Sequence, residues 1–362
     1  MSAVKLFELF DPQTGLQIAP VPVFGDQSSA AQERWNHFLD QSSYVPFQYS
    51  FEHAKYQFAY SADRCDEWLD LSCVIYQGGV DIGIWPLLAI RKNTTWKIES
   101  QTSEVLTPLF RRGLSEKQKK KCVLSCFQWL GQICSTLGIS SYTASVLLNS
   151  VESVSWQRKV FDLGSKQRLR HQLYVDLDQD LATLRSGFRR RYKSLINEGL
   201  RLWSATLVTG DSESVFPEFQ AFHKRISGRV TRSDLTWQLQ QRAVEAREAF
   251  LVLLRNPQSN ALVGAGLFHY TRDEAIYAVG VYDRELFDMP IGHVVQFKAI
   301  EYMKSLGLKT YFVGRRPYLM DDPTPTQKEL QIGEFKEGFA NRFSASVEVE
   351  VLTPEMSKQI DR

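Results

Sequence analysis

The sequence predicts an α+β fold of two tandem lobes, each a mixed, mostly antiparallel sheet flanked by helices. Three observations carry this. The chain has 362 residues, too many for one ordinary core and close to two domains at about 150 residues each. Short polar or glycine turns join apolar runs into two antiparallel hairpins, one at Gly78-Gly79 and one around Arg272-Asp273-Glu274. Amphipathic stretches stand on either side, so the order helix, hairpin, helix, strand occurs twice in outline, without a residue-level repeat. A doubly wound fold would instead alternate strand and helix. The expected division is an N-terminal lobe over 1–177, a linking basic helix over 178–200, and a C-terminal lobe over 201–362.

Each element has its own signal. Lys5 to Phe10 reads as a short strand and Asp11–Gly15 as a turn. Gln32 to Gln41 places Trp35, Phe38 and Leu39 on one helical face. Leu71 to Tyr76 and Val80 to Ile90 are strand runs about Gly78-Gly79, with Pro86 marking an edge or a bulge. Ser115 to Leu137 is a long helix, with Ser115 as N-cap and Gly138 as its stop. Ile139 to Leu147 and Arg168 to Val175 are strands. Asp178 to Glu198 reads as one helix that Gly199 ends. Beyond it come a strand over Leu202–Val208, helices over Ser214–Ile226 and Leu235–Arg247, and a strand over Phe250–Leu254. The second hairpin pairs Val263–Thr271 with Ala275–Tyr282. A helix over Pro290–Leu306, a strand over Lys309–Gly314, a helix over Lys328–Phe339 and a closing strand over Ser344–Val351 follow.

Composition excludes several classes. Hydrophobic residues are 43% and charged residues 23%, which is globular rather than disordered. The net charge of +2 supplies no global basic field that would demand a nucleic-acid partner. The cysteine count is odd and no pair has CxxC spacing, which argues against a disulfide scaffold or a zinc ribbon. There is no secretory h-region and no run of 18 apolar residues, so no integral membrane segment is expected; the default location is cytoplasmic, with peripheral contact at the inner membrane through a lipid-linked acceptor left open.

No GxSxG elbow, Walker A loop, HExxH or post-strand GxGxxG is present, and no histidine has metal-ligand spacing; no metal is expected. Three stretches carry candidate chemistry. In GVYDRELFDMPIGH, a helix starting at Pro290 leaves N–H groups that can hold an anion, with Gly292 permitting close approach and Arg284 adding charge. An ordinary capped helix on a sheet fits the same residues. In GRRPYLMDDPTPTQKELQIGEFKEGF, Arg315 and Arg316 follow a strand end, and Lys328 and Lys336 lie about two helical turns apart, a candidate anion clamp or a solvated charged face. In FRRRYKS, Arg189, Arg190 and Lys193 can meet phosphates or simply face water. His293 and His223 are candidates for proton transfer, or structural histidines.

The motif order resembles the FemAB-like branch of the GNAT acyltransferase superfamily over about Trp35 to Val351. WNHFLDQSSYVPFQYSFE resembles its opening helix and strand entry, and CVIYQGGVDIGIWPLLAIRK its strand, glycine turn and returning strand. SGFRRRYKSLINEG is similar to its basic helix, and LVGAGLFHYTRDEAIYAVGVYDREL to its paired cleft strands. GHVVQFKAIEYMKSLGLKTYFVG resembles the following helix and strand, and IGEFKEGFANRF the closing FK-x-GF motif.

The resemblance implies two GNAT-like lobes with one working cleft and transfer of an acyl or aminoacyl group from a thioester or ester to an amine. It implies acyl-CoA, or aminoacyl-tRNA, as donor substrate, and a small-molecule, nucleotide-sugar or lipid-linked amine as acceptor in cell-envelope or surface-glycan modification. Lys336 and the Arg189–Lys193 helix are implied in contact with anionic substrate. By the same analogy, backbone N–H groups of Val279–Tyr282 meet the oxyanion, and His293, Tyr282 or Tyr318 acts in proton transfer. The region RELFDMPIGH lacks the full glycine-rich donor loop of GNAT enzymes. Two alternatives stand beside this reading: an aminoacyl-tRNA-dependent peptidoglycan bridge transferase, and a catalytically inactive GNAT-like binding module.

Overall fold

The longest helix is bounded by the two residues its sequence predicts. Ser115 accepts from Gln118 N at 3.3 Å while the Gln118 side chain accepts from Ser115 N at 3.0 Å, a reciprocal cap. At the other end Gly138 adopts φ 68°, a left-handed conformation that suits a residue without Cβ.

The computed structural model describes residues 2–11, 15–25, 28–148 and 154–353. The chain forms two units, one of residues 1–44, 48–169 and 345–362, the other of 45–47 and 170–344. In chain order the first holds α1 (Ala3–Phe7), β1 (Gln17–Pro20), α2 (Ser28–Asp40), α3 (Phe51–Ala62), β2 (Glu67–Asp70), β3 (Cys73–Gln77), β4 (Val80–Trp85), β5 (Leu88–Lys92), β6 (Thr95–Glu99), β7 (Glu104–Val105), β8 (Leu109–Phe110), α4 (Glu116–Leu137), β9 (Ser141–Leu147), α5 (Val154–Leu163) and the start of β10 (Gly164–Asp176).

Two expectations change here. Lys5–Phe10 is the end of a helix and the turn after it, not a strand. Leu6, Phe7 and Phe10 do not alternate; they share a helical side, where Phe7 and Phe10 lie 5.3 and 6.1 Å from the Trp129 ring. Trp129 Nε1 donates to Leu6 O at 2.8 Å. The run Val80–Ile90 is two strands, because Pro86 has no N–H for a ladder; β4 joins the sheet β1-β3-β4-β8 and β5 joins β2-β5-β6. Most of the turn expected at Asp11–Gly15 lies outside the described residues. The core of this unit is aromatic: Trp85 meets Trp156 edge-on at 5.5 Å, and Phe127 stacks on Trp156 at 4.3 Å.

The second unit contains α6 (Leu181–Gly187), α7 (Arg190–Leu202), β11 (Ser204–Val208), α8 (Phe216–Ser227), α9 (Asp234–Glu245), β12 (Ala249–Arg255), β13 (Leu262–Tyr270), β14 (Glu274–Tyr282), α10 (Ile291–Ser305), β15 (Thr310–Arg315), α11 (Gln327–Glu337) and the start of β16 (Arg342–Leu352). Its sheet runs β11-β12-β13-β14-β15-β10. Along β12, Phe250, Val252 and Leu254 enter one core with α7 and α10, while Ala249, Leu251 and Leu253 enter another with α8 and α9. This is the period-two signature of a strand buried on both faces.

The division differs from the expected one. Leu173 and Val175 of β10 belong to the second unit's core, whereas Val347, Val349 and Val351 of β16 belong to the first. The boundaries therefore fall inside two strands, at 169/170 and 344/345, which chain order alone does not show. Residues 178–200 lie within the second unit rather than linking two lobes. They form two helices, broken where Phe188 turns into the core against Phe339, with ring centroids 5.3 Å apart.

Gly199 does not end α7, which continues to Leu202. Its missing Cβ lets α10 approach: a Cβ there would overlap Val294 and lie 3.1 Å from Pro290 O. Gly199→Ala is therefore expected to destabilise by about 1–3 kcal/mol. Gly187→Ala, where nothing lies within 4 Å of the added carbon, is expected to be neutral within about 0.5 kcal/mol. Urea denaturation of both variants checks this, and equal midpoints would refute the close approach.

Candidate functional site

The second unit's sheet contains a parallel pair that stops early. β14 and β15 pair only over Glu274–Ile276 against Thr310–Phe312. Just past that point each strand carries one extra residue relative to its other neighbour. Leu267 pairs with Val279 and Phe268 with Tyr277, so Ala278 bulges from β14; Leu173 pairs with Gly314 and Tyr174 with Phe312, so Val313 bulges from β15. Bulges break a ladder and re-aim side chains, and here two coincide where the pair ends.

Lys336 of α11 comes to this point. α11 starts with a Thr326–Glu329 capping box, which sets the helix register. The lysine stem and amine lie against the α-carbon of Gly314, whose φ of 140° excludes a side chain. The amine sits 5.6 Å from the centre of the Tyr277 ring, within cation–π range. Among the described residues no oxygen accepts a hydrogen bond from it and no carboxylate pairs with it. Burial lowers its pKa from 10.5 to about 8. A half-buried cation without a counter-ion among the described residues can meet an oxyanion or an anionic group.

The phenols near this amine are neutral at pH 7. The Tyr277 and Tyr282 hydroxyls share a hydrogen bond of 2.6 Å. Burial pushes Tyr277 up to about 12 and Tyr282 well above the usual phenol range. Tyr311 donates to Gln296 Oε1 at 2.6 Å. A cavity of about 430 Å³ opens beside Lys336. Arg170, Arg315 and Arg316 line it with Lys336, together with Asp321 and Glu329. Both carboxylates already serve the fold: Asp321 accepts from Tyr318 N at 3.0 Å, and Glu329 accepts from Thr326 N at 2.7 Å.

The structure distributes the sequence-predicted residues unevenly. Lys336, Arg315 and Arg316 meet at the cavity; Lys328 is not among its lining, where Glu329, Ile332 and Lys336 form the inward side of α11. Arg316 is tied to Glu337 at 2.8 Å and to Pro317 O at 2.7 Å, and stacks over Tyr318 at 4.6 Å. Arg189, Arg190 and Lys193 line an open groove along α7. Arg284 is exposed in a short 3₁₀ turn. Gly292 lies in the first turn of α10, where a Cβ would stand 3.0 Å from the Phe335 ring and 3.5 Å from Tyr282. His293 sits among Tyr192 at 4.4 Å and Phe335 at 5.2 Å. Burial first, then Arg191, lowers its pKa to about 4, so it is neutral at pH 7, and its Nδ1 has no hydrogen-bond partner among the described residues. His223 packs on Trp237 at 5.1 Å, in the core with α8 and α9. No metal-binding group of histidine, cysteine or acidic residues occurs among the described residues.

Tyr277 and Gln296 were not singled out from the sequence. Gln296 did leave a signal: it is the one amide in the run Val294, Val295, Gln296, Phe297, which otherwise faces the core. Tyr277 left none, because its position depends on the bulge at Ala278.

The charge on Lys336 has a measurable cost. Its folded pKa lies below its unfolded value, so the unfolded chain binds the proton more tightly. The penalty is complete below about pH 8 and disappears as pH rises toward the unfolded value of 10.5. Lys336→Met is thus expected to raise stability at pH 7, by at most about 3 kcal/mol, and the gain should vanish near pH 10. Melting curves across this range test it; a gain independent of pH would refute the buried charge.

No family model matches the sequence, and no curated protein matches it. Solved structures do share its fold. The crystal structure of FemX is 12% identical with a TM-score of 0.66, over 91% of this chain and 98% of that one. L-PGS from Bacillus licheniformis is 13% identical with a TM-score of 0.52, over 91% and 96%. The C-terminal domain of a putative lysylphosphatidylglycerol synthetase from Agrobacterium fabrum is 11% identical with a TM-score of 0.53, over 88% and 90%. The chain is folded as FemX is, the α+β architecture that its motif order implied.

Proposed function

We propose that the protein is an acyltransferase that moves an acyl or aminoacyl group from an ester or thioester to an amine, with Lys336 stabilising the developing oxyanion. The observation that carries this is the desolvated, unpaired Lys336 amine at the point where β14 and β15 stop pairing. The amine nucleophile attacks the donor carbonyl, the oxygen gains charge, and the leaving alcohol or thiol departs with the proton that the amine loses. Such a reaction needs positioning and a fixed positive charge more than a nucleophilic side chain. The cation-rich cavity beside Lys336 fits an acceptor that carries carboxylate or phosphate. The likeness of fold to FemX and to a putative lysylphosphatidylglycerol synthetase supports an acceptor of the cell envelope.

One observation favours aminoacyl-tRNA over acyl-CoA as donor. A GNAT-type diphosphate site needs an open helix N-terminus. The first turn of α10 is instead covered: Gly292 faces Phe335 and Tyr282, and Pro290 lies against Gly199.

The test supplies purified protein with labelled acyl-CoAs or with bulk charged tRNA, and with amine-bearing envelope precursors. Transfer from charged tRNA is expected, and Lys336→Ala is expected to lower kcat on the order of 10²–10³-fold. Transfer from acyl-CoA alone would overturn the donor assignment. Binding of a precursor without transfer from either donor would make the protein a binding module.

A further inference from the structure

The segment after β15 displays an unusual turn. Asp321 N donates to Tyr318 O at 2.9 Å, and the Asp321 carboxylate accepts from Tyr318 N at 3.0 Å. This closes Tyr318–Asp321 into a β-turn with Leu319 and Met320 at its two central positions. Such positions favour glycine, asparagine or aspartate, which tolerate water and the turn geometry. Here they carry two aliphatic side chains, 72% and 83% exposed. The turn is anchored: the Tyr318 ring lies 4.6 Å from the Arg316 guanidinium and 4.9 Å from His171. Two bare apolar side chains are thus held out on a fixed support.

Asp321 and Asp322 follow Met320 in the chain, and cations lie on the other side of the turn. Arg316 binds Glu337 at 2.8 Å, and Arg189 reaches the same carboxylate at 3.9 Å. Arg189 opens the outer face of α7, where Arg190 and Lys193 line the open groove with no acidic residue among them. We propose that the Leu319–Met320 turn and the basic face of α7 dock the protein on an anionic lipid bilayer, with the turn entering the acyl boundary and Arg190 and Lys193 at the headgroups. Apolar insertion and electrostatic attraction to anionic lipid reinforce one another, and this surface offers two exposed aliphatic side chains with the cations of α7. A nucleic acid would satisfy the cations but leaves the two aliphatic side chains without a role. The proposal does not rest on the transferase reading, since docking is measured without substrate.

The experiment is co-sedimentation of the full chain with phosphatidylcholine vesicles, with and without phosphatidylglycerol. Binding is expected only with phosphatidylglycerol, and it should weaken as salt rises. The double variant L319S/M320S is expected to lower partitioning about 10- to 100-fold, and R190E/K193E at least about tenfold. Leu319, Met320 and Arg190 are exposed and Lys193 is half-buried, and unchanged melting temperatures confirm intact folding. Equal binding to neutral vesicles, or wild-type partitioning by L319S/M320S, would overturn the proposal. So would binding of bulk tRNA without vesicle binding, which would assign the α7 face to a polynucleotide.

Discussion

A parallel strand pair that stops after three residues has to place its remaining backbone and side chains against something else. In this protein the pair is β14 and β15, and the chain answers with two bulges, a left-handed glycine and a lysine from a distant helix. The amine of Lys336 sits where a Cβ of Gly314 would be, so the charge and the glycine are one arrangement. Neither half works alone. Any larger residue at 314 would displace the amine, and an apolar residue at 336 would fill the gap but remove the charge held against Gly314.

The segment FKEGF shows how tightly this is held. Phe335 covers the first turn of α10 beside Gly292, and its carbonyl accepts from the Tyr192 hydroxyl at 3.0 Å. Lys336 enters the parting strands. Glu337 binds Arg316 and reaches Arg189. Gly338 leaves room for the Tyr192 ring and accepts from Arg189 N at 2.8 Å. Phe339 closes the core against Phe188 and Tyr192. Five consecutive residues thus join α7, α10, α11 and β15 around one desolvated amine. The neighbours on both sides fix its position, which is what a preorganised charge requires.

Much of the fold was legible because it depends on local chemistry. The Ser115–Gln118 cap, the stop at Gly138, and the turn at Gly78-Gly79, where both glycines have positive φ, need only a few adjacent residues. What was not legible depends on partners far along the chain. Gly199 looks like a stop, yet it serves a helix crossing, and its purpose is visible only once Pro290 and Val294 are beside it. The boundaries inside β10 and β16 have the same cause: a long strand can serve two cores, and its sequence pattern does not change where it passes from one to the other. The site divided likewise. Lys336 of the candidate site stood out in the sequence through its motif, while Tyr277 did not, because a one-residue bulge decides where that ring points.

The basic run Arg189–Lys193 shows why charge patterns alone mislead. Successive residues of a helix point in different directions, and the structure gives them different work. Arg189 shares Glu337 with Arg316 and lies over Tyr192 at 5.5 Å, so it is tied into the FKEGF arrangement. Arg191 acts on His293 by charge, helping to keep that imidazole neutral. Arg190 and Lys193 line the open groove along α7. One run of cations therefore supports the site from beneath and presents charge outward. The glutamate between Arg189 and Arg316 connects the two roles, so that a surface contact on α7 and the amine in the parting strands share one carboxylate as their common neighbour.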